Sequence, residues 1–249
     1  MVVKTFILVV SIVAIQVLKI IVFAFAQLVV FQASVVPFDL IDDAKEDLEA
    51  LRQIVLGAIF AGQNDLDDFN LDLQNFGSNT ETSAILTVQS EGQTINSSLI
   101  VLKDLAHTAE ADISYCLQGR ENYLNNLPVV ILADLNDCVF GDIAEGSRVL
   151  GEVKYLIDIT INTVDALEFQ LGLCDTDSDN CINAIIQQIE FETEKIPQQI
   201  KVELLKAEEL FGELKISVQE CADLKISQYV SSANTILKDI TQCVNAIIG

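Results

Sequence analysis

Two stretches of equal length begin and end with cysteine: CLQGRENYLNNLPVVILADLNDC, from Cys116 to Cys138, and CADLKISQYVSSANTILKDITQC, from Cys221 to Cys243. Their similarity is closest near the second cysteine, where residues match at a constant offset of 105 positions. The matched positions are Ile131, Leu132, Asp134, Leu135, Cys138 and Val139 with Ile236, Leu237, Asp239, Ile240, Cys243 and Val244. We infer that the chain contains a diverged internal duplication.

The spacing of these cysteines favours one disulfide pairing. In a helix, the 22 positions between the two cysteines advance about 33 Å and end about 40° from the starting azimuth, so both cysteines lie on one face. If the two stretches are antiparallel helices, Cys116 can pair with Cys243 and Cys138 with Cys221, which is the pairing that we favour. The alternative is a hairpin that folds at Asn125–Pro128 and pairs the cysteines within each stretch.

A third cysteine pair encloses the acidic sequence CDTDSDNC at Cys174–Cys181, which is predicted to be a loop closed by its own disulfide. Asp175, Asp177 and Asp179 have the spacing of the first three ligands of an EF-hand calcium loop. The bidentate glutamate of that loop is replaced by Ile186. A solvated acidic turn is therefore the favoured interpretation, a weak calcium site is the alternative, and no cofactor is predicted.

The composition excludes one class of partner. The chain has 249 residues, 51% of them hydrophobic, which is enough for a sizeable core, and its formal net charge is −23. Such an acidic surface repels nucleic acid and anionic lipid headgroups. We therefore predict no nucleic-acid partner. The even number of cysteines, six, is typical of disulfide-bonded proteins from an oxidising compartment.

The first 26 residues are predicted to be a cleaved signal peptide. The apolar run Phe6–Leu18 follows the basic residue Lys4, and Ala24–Ala26 has the A-x-A pattern of a cleavage site. Gln32–Ser34 is a second candidate site, and an uncleaved membrane anchor is the competing interpretation because the apolar stretch is long enough to span a bilayer. With cleavage, the protein is predicted to be secreted and not stably inserted in a membrane.

The rest of the chain has helical periodicity. We predict an N-terminal helix and a polar connector over residues 27–80, the connector being Gly62–Thr82, and a disulfide-stapled helical domain over residues 81–249. Apolar residues at heptad spacing over 85–116 predict a long packed helix. Residues 157–164 could also suit a strand. A break or a kink is expected at Pro128, and a break at Pro197. The predicted fold class is an all-α antiparallel bundle of long helices with an internal duplication.

The residues that would make an enzyme are missing. His107 is the only histidine, so neither a catalytic triad nor a histidine-based zinc site can be assembled from the sequence. Gly141, Gly146 and Gly151 recur at intervals of five, yet the lysine and hydroxyl residue of a phosphate-binding loop do not follow. We predict no enzymatic activity and structural disulfides. Asn96 begins the N-x-S/T sequon Asn96–Ser98 and is the predicted glycosylation site.

The segment VQECADLKISQYVSSANTILKDITQCV at 218–244 resembles the closing helix of the tsetse EP domain of secreted insect proteins, which has a cysteine at each end. The resemblance extends over about residues 98–247. It implies an extracellular, non-catalytic role in the gut or another secreted fluid. The chain departs from the family in lacking its acidic proline-rich repeat, since it has only Pro37, Pro128 and Pro197.

These observations predict a secreted non-catalytic helical protein that binds a microbial or host surface partner in an extracellular fluid such as the insect gut lumen or haemolymph. The first alternative is a carrier that holds a small hydrophobic ligand, such as a lipid, in a cavity between helices beside the small residues Gly92, Ala106 and Ala109. The second alternative is a structural or storage secretory protein.

Overall fold

The structure, a computed structural model, describes residues 40–174 and 178–249. Regular secondary structure in these ranges is entirely helical. The helices are α1 (Leu40–Thr108), α2 (Ser114–Leu117), α3 (Arg120–Asp158), α4 (Ile161–Leu171) and α5 (Asp179–Ile248). With 69 and 70 residues, α1 and α5 are each about 100 Å long. The predicted signal peptide and its cleavage sites lie outside the described residues.

Three layers of helix pack along their whole length. Helices α1 and α5 run in the same direction. Helices α3 and α4 follow one another in the opposite direction, so that α3 is antiparallel to both α1 and α5. One core cluster joins Ala44–Leu73 to Val149–Leu171 and Ile182–Leu214, and another joins Val88–Ala106 to Cys116–Ile131 and Tyr229–Val244. The predicted all-α bundle of long helices is confirmed, and no strand occurs in the described ranges, including residues 157–164.

Burial recurs at every eleventh residue rather than at every seventh. The buried series are Leu51, Gly62, Leu73, Ala84, Ile95 and Ala106 in α1; Leu124, Leu135, Gly146 and Ile157 in α3; and Ile185, Ile196, Ala207, Val218, Tyr229 and Ile240 in α5. Eleven residues make three turns at 3.67 residues per turn, the repeat that goes with right-handed supercoiling. The predicted heptad seam is correct in the middle of its range and wrong at its end, where Ala109 is exposed beyond the end of α1.

The predicted polar connector at Gly62–Thr82 is wrong, because α1 continues through it without a break. Four buried positions, Gly62, Leu66, Leu73 and Gly77, keep this stretch in the core. Its polar side chains face solvent or bind neighbouring helices; the Lys154 ammonium on α3, for example, lies 2.7 Å from an Asp67 carboxylate oxygen. The boundary predicted at residue 80 is therefore not a boundary between elements, since α1 runs across it.

Neither proline ends a helix, so the predicted breaks do not occur. Pro128 lies inside α3 and Pro197 inside α5. Each is followed and preceded by residues of the core: Leu127 and Ile131 in α3, and Ile196 and Ile200 in α5. Burial of these aliphatic side chains, at about 1.5–3 kcal/mol each, outweighs the roughly 3 kcal/mol that proline costs inside a helix.

The disulfides tie α5 to the chain that runs antiparallel to it. Cys116 pairs with Cys243, with Cα atoms 5.6 Å apart, and Cys138 pairs with Cys221, with Cα atoms 6.6 Å apart. This is the antiparallel pairing; the hairpin alternative is wrong, because α3 does not fold back at Pro128. Cys174 pairs with Cys181 across the connection between α4 and α5. Since α1 contains no cysteine, only noncovalent contacts hold it.

Glycines let α1 and α3 approach closely. A Cβ at Gly146 would meet the Leu73 side chain inside van der Waals distance and Phe211 at 3.2 Å, and a Cβ at Gly77 would stand 2.8 Å from Ile143 Cδ1. At Gly141 and Gly151, in contrast, an added Cβ would have no neighbour within 4 Å. Of the three glycines spaced at intervals of five on α3, only Gly146 therefore lies at a packing position, and the glycines on either side of it are exposed.

Candidate functional site

An open cleft lies where α2 and the start of α3 face the last third of α5. Its volume is about 780 Å³. The residues that line it are Tyr115, Gln118, Gly119, Arg120, Tyr123, Ser231, Ser232, Thr235 and Ile236. We call this site the Arg120 cleft.

The first wall of the Arg120 cleft follows from the way in which the chain turns back after α1. Gly119 has φ of 75°, a left-handed conformation that suits glycine, and it separates α2 from α3. Two buried residues, Ile113 and Cys116, anchor the turn to the core. The Cys116–Cys243 disulfide then fixes this wall to α5. The cleft is thus built on a covalently closed end of the bundle.

A hydrogen bond within the same turn holds its start. The backbone N–H of Ser114 donates to Asp112 Oδ1 over 2.9 Å. Hydrogen bonds from the Ser114 side chain and backbone lower the pKa of the Asp112 carboxyl, so the carboxylate is the form that the turn stabilises. Asp112 is not among the cleft's lining residues and contributes to its construction only.

Arg120 is the cation of the cleft, and no carboxylate of the described residues lies at ion-pair distance from it. The chain has three arginines, of which Arg52 binds Asp165 and Glu168, and Arg148 binds Glu145 and Glu152. Within the described ranges Arg120 makes no ion pair; its Nη1 donates to the Cys116 carbonyl oxygen over 3.2 Å. A guanidinium has five N–H donors, and the other four have no hydrogen-bond partner among the described residues.

Two tyrosine side chains project beside Arg120. Tyr115 is 77% exposed and Tyr123 is 54% exposed, although an aromatic ring gains free energy when it is covered. The opposite wall, on α5, presents the side chains of Ser231, Ser232 and Thr235. Thr235 donates its hydroxyl to the Ser231 carbonyl over 2.8 Å, which leaves its oxygen lone pairs as acceptors. Aromatic faces thus meet hydroxyl groups across the cleft.

The lining contains no acidic residue, although the chain has 37 of them against 14 basic ones. An anion at Arg120 would therefore not meet a carboxylate in the wall of the cleft. The arrangement has no nucleophile with a base beside it and supplies the means of binding: one cation, two exposed rings and three hydroxyls.

A second cleft, of about 410 Å³, lies at the opposite end of the described bundle between α1 and α4. Its lining includes Arg52, Lys45 and Glu168. The charges there already satisfy one another, since Arg52 lies 2.6 Å from Glu168 and 2.9 Å from Asp165, and Lys45 lies 3.1 Å from Asp42. The Arg120 cleft is therefore the stronger candidate for a ligand.

The residues predicted from the sequence lie elsewhere. Asn96 is exposed in the last quarter of α1, and His107 is exposed in its last turn. Asp179 is exposed at the start of α5, while Asp175 and Asp177 lie outside the described residues. Among residues 40–174 and 178–249, no group of three or more His, Cys, Asp or Glu side chains is placed to hold a metal ion.

Sequence reasoning missed Arg120, Tyr115 and Tyr123. Arg120 is the one arginine in the stretch from Cys116 to Cys138, and this was the only signal in the sequence that could have pointed to it. Its freedom from carboxylates, and the serines opposite it, depend on α5 lying alongside residues that precede it by more than a hundred positions.

Fold and disulfides together define the class: a disulfide-bonded, all-α bundle of three long helical layers, with bonds of the kind that persist in extracellular proteins. No protein-family model matches the chain, and comparison with curated proteins gives no match. Within the described residues, no helix combines the length and the apolar character needed to cross a membrane.

Proposed function

We propose that this protein is secreted, has no catalytic activity, and binds a microbial or host surface partner in an extracellular fluid through the Arg120 cleft. The observation that carries the proposal is the free guanidinium of Arg120 beside two exposed tyrosines in a chain that otherwise pairs its arginines with acids. The insect gut lumen or haemolymph as the setting rests only on the resemblance of the Cys221–Cys243 helix to the tsetse EP domain.

Secretion is supported by the three disulfides and by the signal-peptide pattern of residues 1–26. The disulfides also make a binding end that keeps its geometry outside the cell, because Cys116–Cys243 closes the wall of the cleft on α5. A preformed site loses less conformational entropy when it binds its ligand.

No observation favours the lipid carrier. A Cβ at Gly92 would stand 3.0 Å from the Tyr229 hydroxyl, so the space beside this glycine is occupied. Ala106 is buried in a core cluster, and Ala109 is exposed. None of the three small residues from which a cavity was predicted lines either of the two clefts described above.

The test is adhesion of the purified, disulfide-bonded full chain to bacterial cells and to insect gut epithelium. The variant is Tyr115→Ala/Tyr123→Ala, and the matched control is Tyr155→Ala, which removes a tyrosine that is 66% exposed on α3 outside the cleft. We expect the wild type and the control to adhere and the double variant to lose adhesion. Adhesion of all three would refute the cleft as the site, and adhesion of none would favour a structural or storage protein.

A further inference from the structure

The four free N–H donors of Arg120 make it a fork for a planar, two-oxygen anion. Arginine binds a carboxylate through two parallel N–H···O bonds, which fixes the orientation of the ligand as well as its charge. Because Nη1 already donates to the Cys116 carbonyl, the guanidinium plane is held against the α2–α3 turn. A carboxylate is one of the anions whose geometry matches this fork.

The other side chains in the lining favour a ligand that is larger than a carboxylate group alone. A simple anion such as acetate would leave the exposed rings of Tyr115 and Tyr123 uncovered. A fatty acid would cover them but would find hydroxyls on the other wall, where Ile236 is the one aliphatic side chain in the lining. A sugar ring has both surfaces: its C–H face stacks on an aromatic ring, and its hydroxyls bond to serine and threonine.

The size of the cleft agrees with a sugar. Its volume, about 780 Å³, is within the roughly 300–1,000 Å³ that ligand sites occupy, and it is open to solvent along the bundle, so that a chain of sugars could continue out of it. The absence of acidic residues from the lining also favours such a ligand, because acidic side chains would repel a sugar that carries a carboxylate.

We propose that the Arg120 cleft binds a carboxylate-bearing sugar of a surface glycan, with the carboxylate on Arg120, the ring against Tyr115 and Tyr123, and the sugar hydroxyls on Ser231 and Ser232. This inference rests on the proposed function and names the chemistry of its partner. The same chemistry is present in a terminal sialic acid and in a uronic acid, and the two are separated by the test.

Isothermal titration of the full chain would use N-acetylneuraminic acid methyl glycoside, galacturonate, neutral galactose and acetate. We expect one of the two acidic sugars to bind, and galactose and acetate to bind far more weakly. Arg120→Gln should weaken binding of the acidic sugar by about ten- to a hundredfold, the loss of one charge-assisted interaction. Arg148→Gln, which changes an arginine on the exposed face of α3, should leave binding unchanged.

Each other outcome overturns a stated part. Galactose binding as tightly as galacturonate, with no effect of Arg120→Gln, would refute the role of the carboxylate. Acetate binding equally well would reduce the site to a simple anion site. If no acidic sugar binds while the double tyrosine variant still abolishes adhesion to cells, the ligand class is wrong and the proposed function stands. Circular dichroism and binding by Arg120→Lys distinguish a lost contact from a misfolded variant.

Discussion

Replacing Gly146 by alanine tests the close approach of α1 and α3 at this glycine. The added Cβ would overlap the Leu73 side chain and stand 3.2 Å from Phe211 Cε1. Leu73 has no exposed surface, and Phe211 is 2% exposed, so neither side chain can move aside without disturbing the core. Gly141→Ala and Gly151→Ala are the matched controls, because both lie in α3 and have open space around the added atom.

The expected magnitudes follow from two opposing effects. Glycine to alanine inside a helix stabilises by about 1 kcal/mol at all three positions, since it reduces the backbone freedom of the unfolded chain. Overpacking costs about 1–3 kcal/mol and applies to Gly146 alone. Gly141→Ala and Gly151→Ala should therefore each raise the free energy of unfolding by about 1 kcal/mol. The free energy of unfolding of Gly146→Ala should be about 1–3 kcal/mol lower than that of these two variants.

The free energies would be measured by guanidinium unfolding with the disulfides intact, followed by far-UV circular dichroism. A common slope against denaturant would show that the variants unfold to the same extent. In a Leu73→Ala background, which opens the space, Gly146→Ala should recover the gain of the controls. Equal stabilisation at positions 141, 146 and 151 in the wild-type background would refute the close approach of α1 and α3.

Three further predictions concern the disulfides, an acidic contact and a modification. Replacing Cys138 and Cys221 by alanine should lower the free energy of unfolding by about 4 kcal/mol, and replacing Cys174 and Cys181 should lower it by about 2 kcal/mol. The reason is that the first disulfide joins cysteines 83 residues apart in sequence and the second joins cysteines 7 residues apart. Equal losses in denaturant titrations would contradict this account. Partial desolvation, with the neighbouring Glu190, Asp43 and Glu46 carboxylates, raises the pKa of the exposed residue Asp47 above its ordinary 3.8. The folded state then holds the Asp47 proton more tightly than the unfolded state does. The stability that this proton contributes is fully present below pH 3.8 and is lost as the pH rises through the folded-state pKa. Asp47→Asn should therefore raise stability at neutral pH and lose this advantage in acid, whereas the control Glu220→Gln on α5 should not; an advantage of Asp47→Asn that does not change with pH would contradict the argument. Protein from secretory insect cells should lose mass on N-glycosidase treatment, and Asn96→Gln should abolish that loss, because Asn96 is exposed on α1; an unchanged wild-type mass would exclude the glycan.

The period of the core shows how far local pattern carries. Val88, Ile95, Leu99, Leu102 and Ala106 fit both a heptad and an eleven-residue repeat, and all of them are buried. Only the series over the whole of α1, from Leu51 to Ala106, separates the two repeats. The heptad prediction holds over residues 88–106 because a window of about twenty residues contains too few turns for the two periods to diverge.

The positions of the cysteines determined more than any other sequence feature. Equal spacing on a helix puts both cysteines of a stretch on one face, and two such faces can be joined twice when the helices lie side by side. The antiparallel arrangement is the one that we favoured. The structure has this pairing, Cys116 with Cys243 and Cys138 with Cys221. The helical class was equally accessible, because apolar residues three and four apart are a local property of the chain.

Tertiary structure decided where the helices continue and what they bring together. Pro128, Pro197 and the glycines of 62–77 are local signals for a break, yet each lies inside a long helix because neighbouring helices bury the aliphatic residues around it. The Arg120 cleft likewise depends on α5 lying across from the α2–α3 turn. Local sequence determines which residues can form a helix and be cross-linked, whereas packing between distant segments determines which breaks are overridden and which side chains share a site.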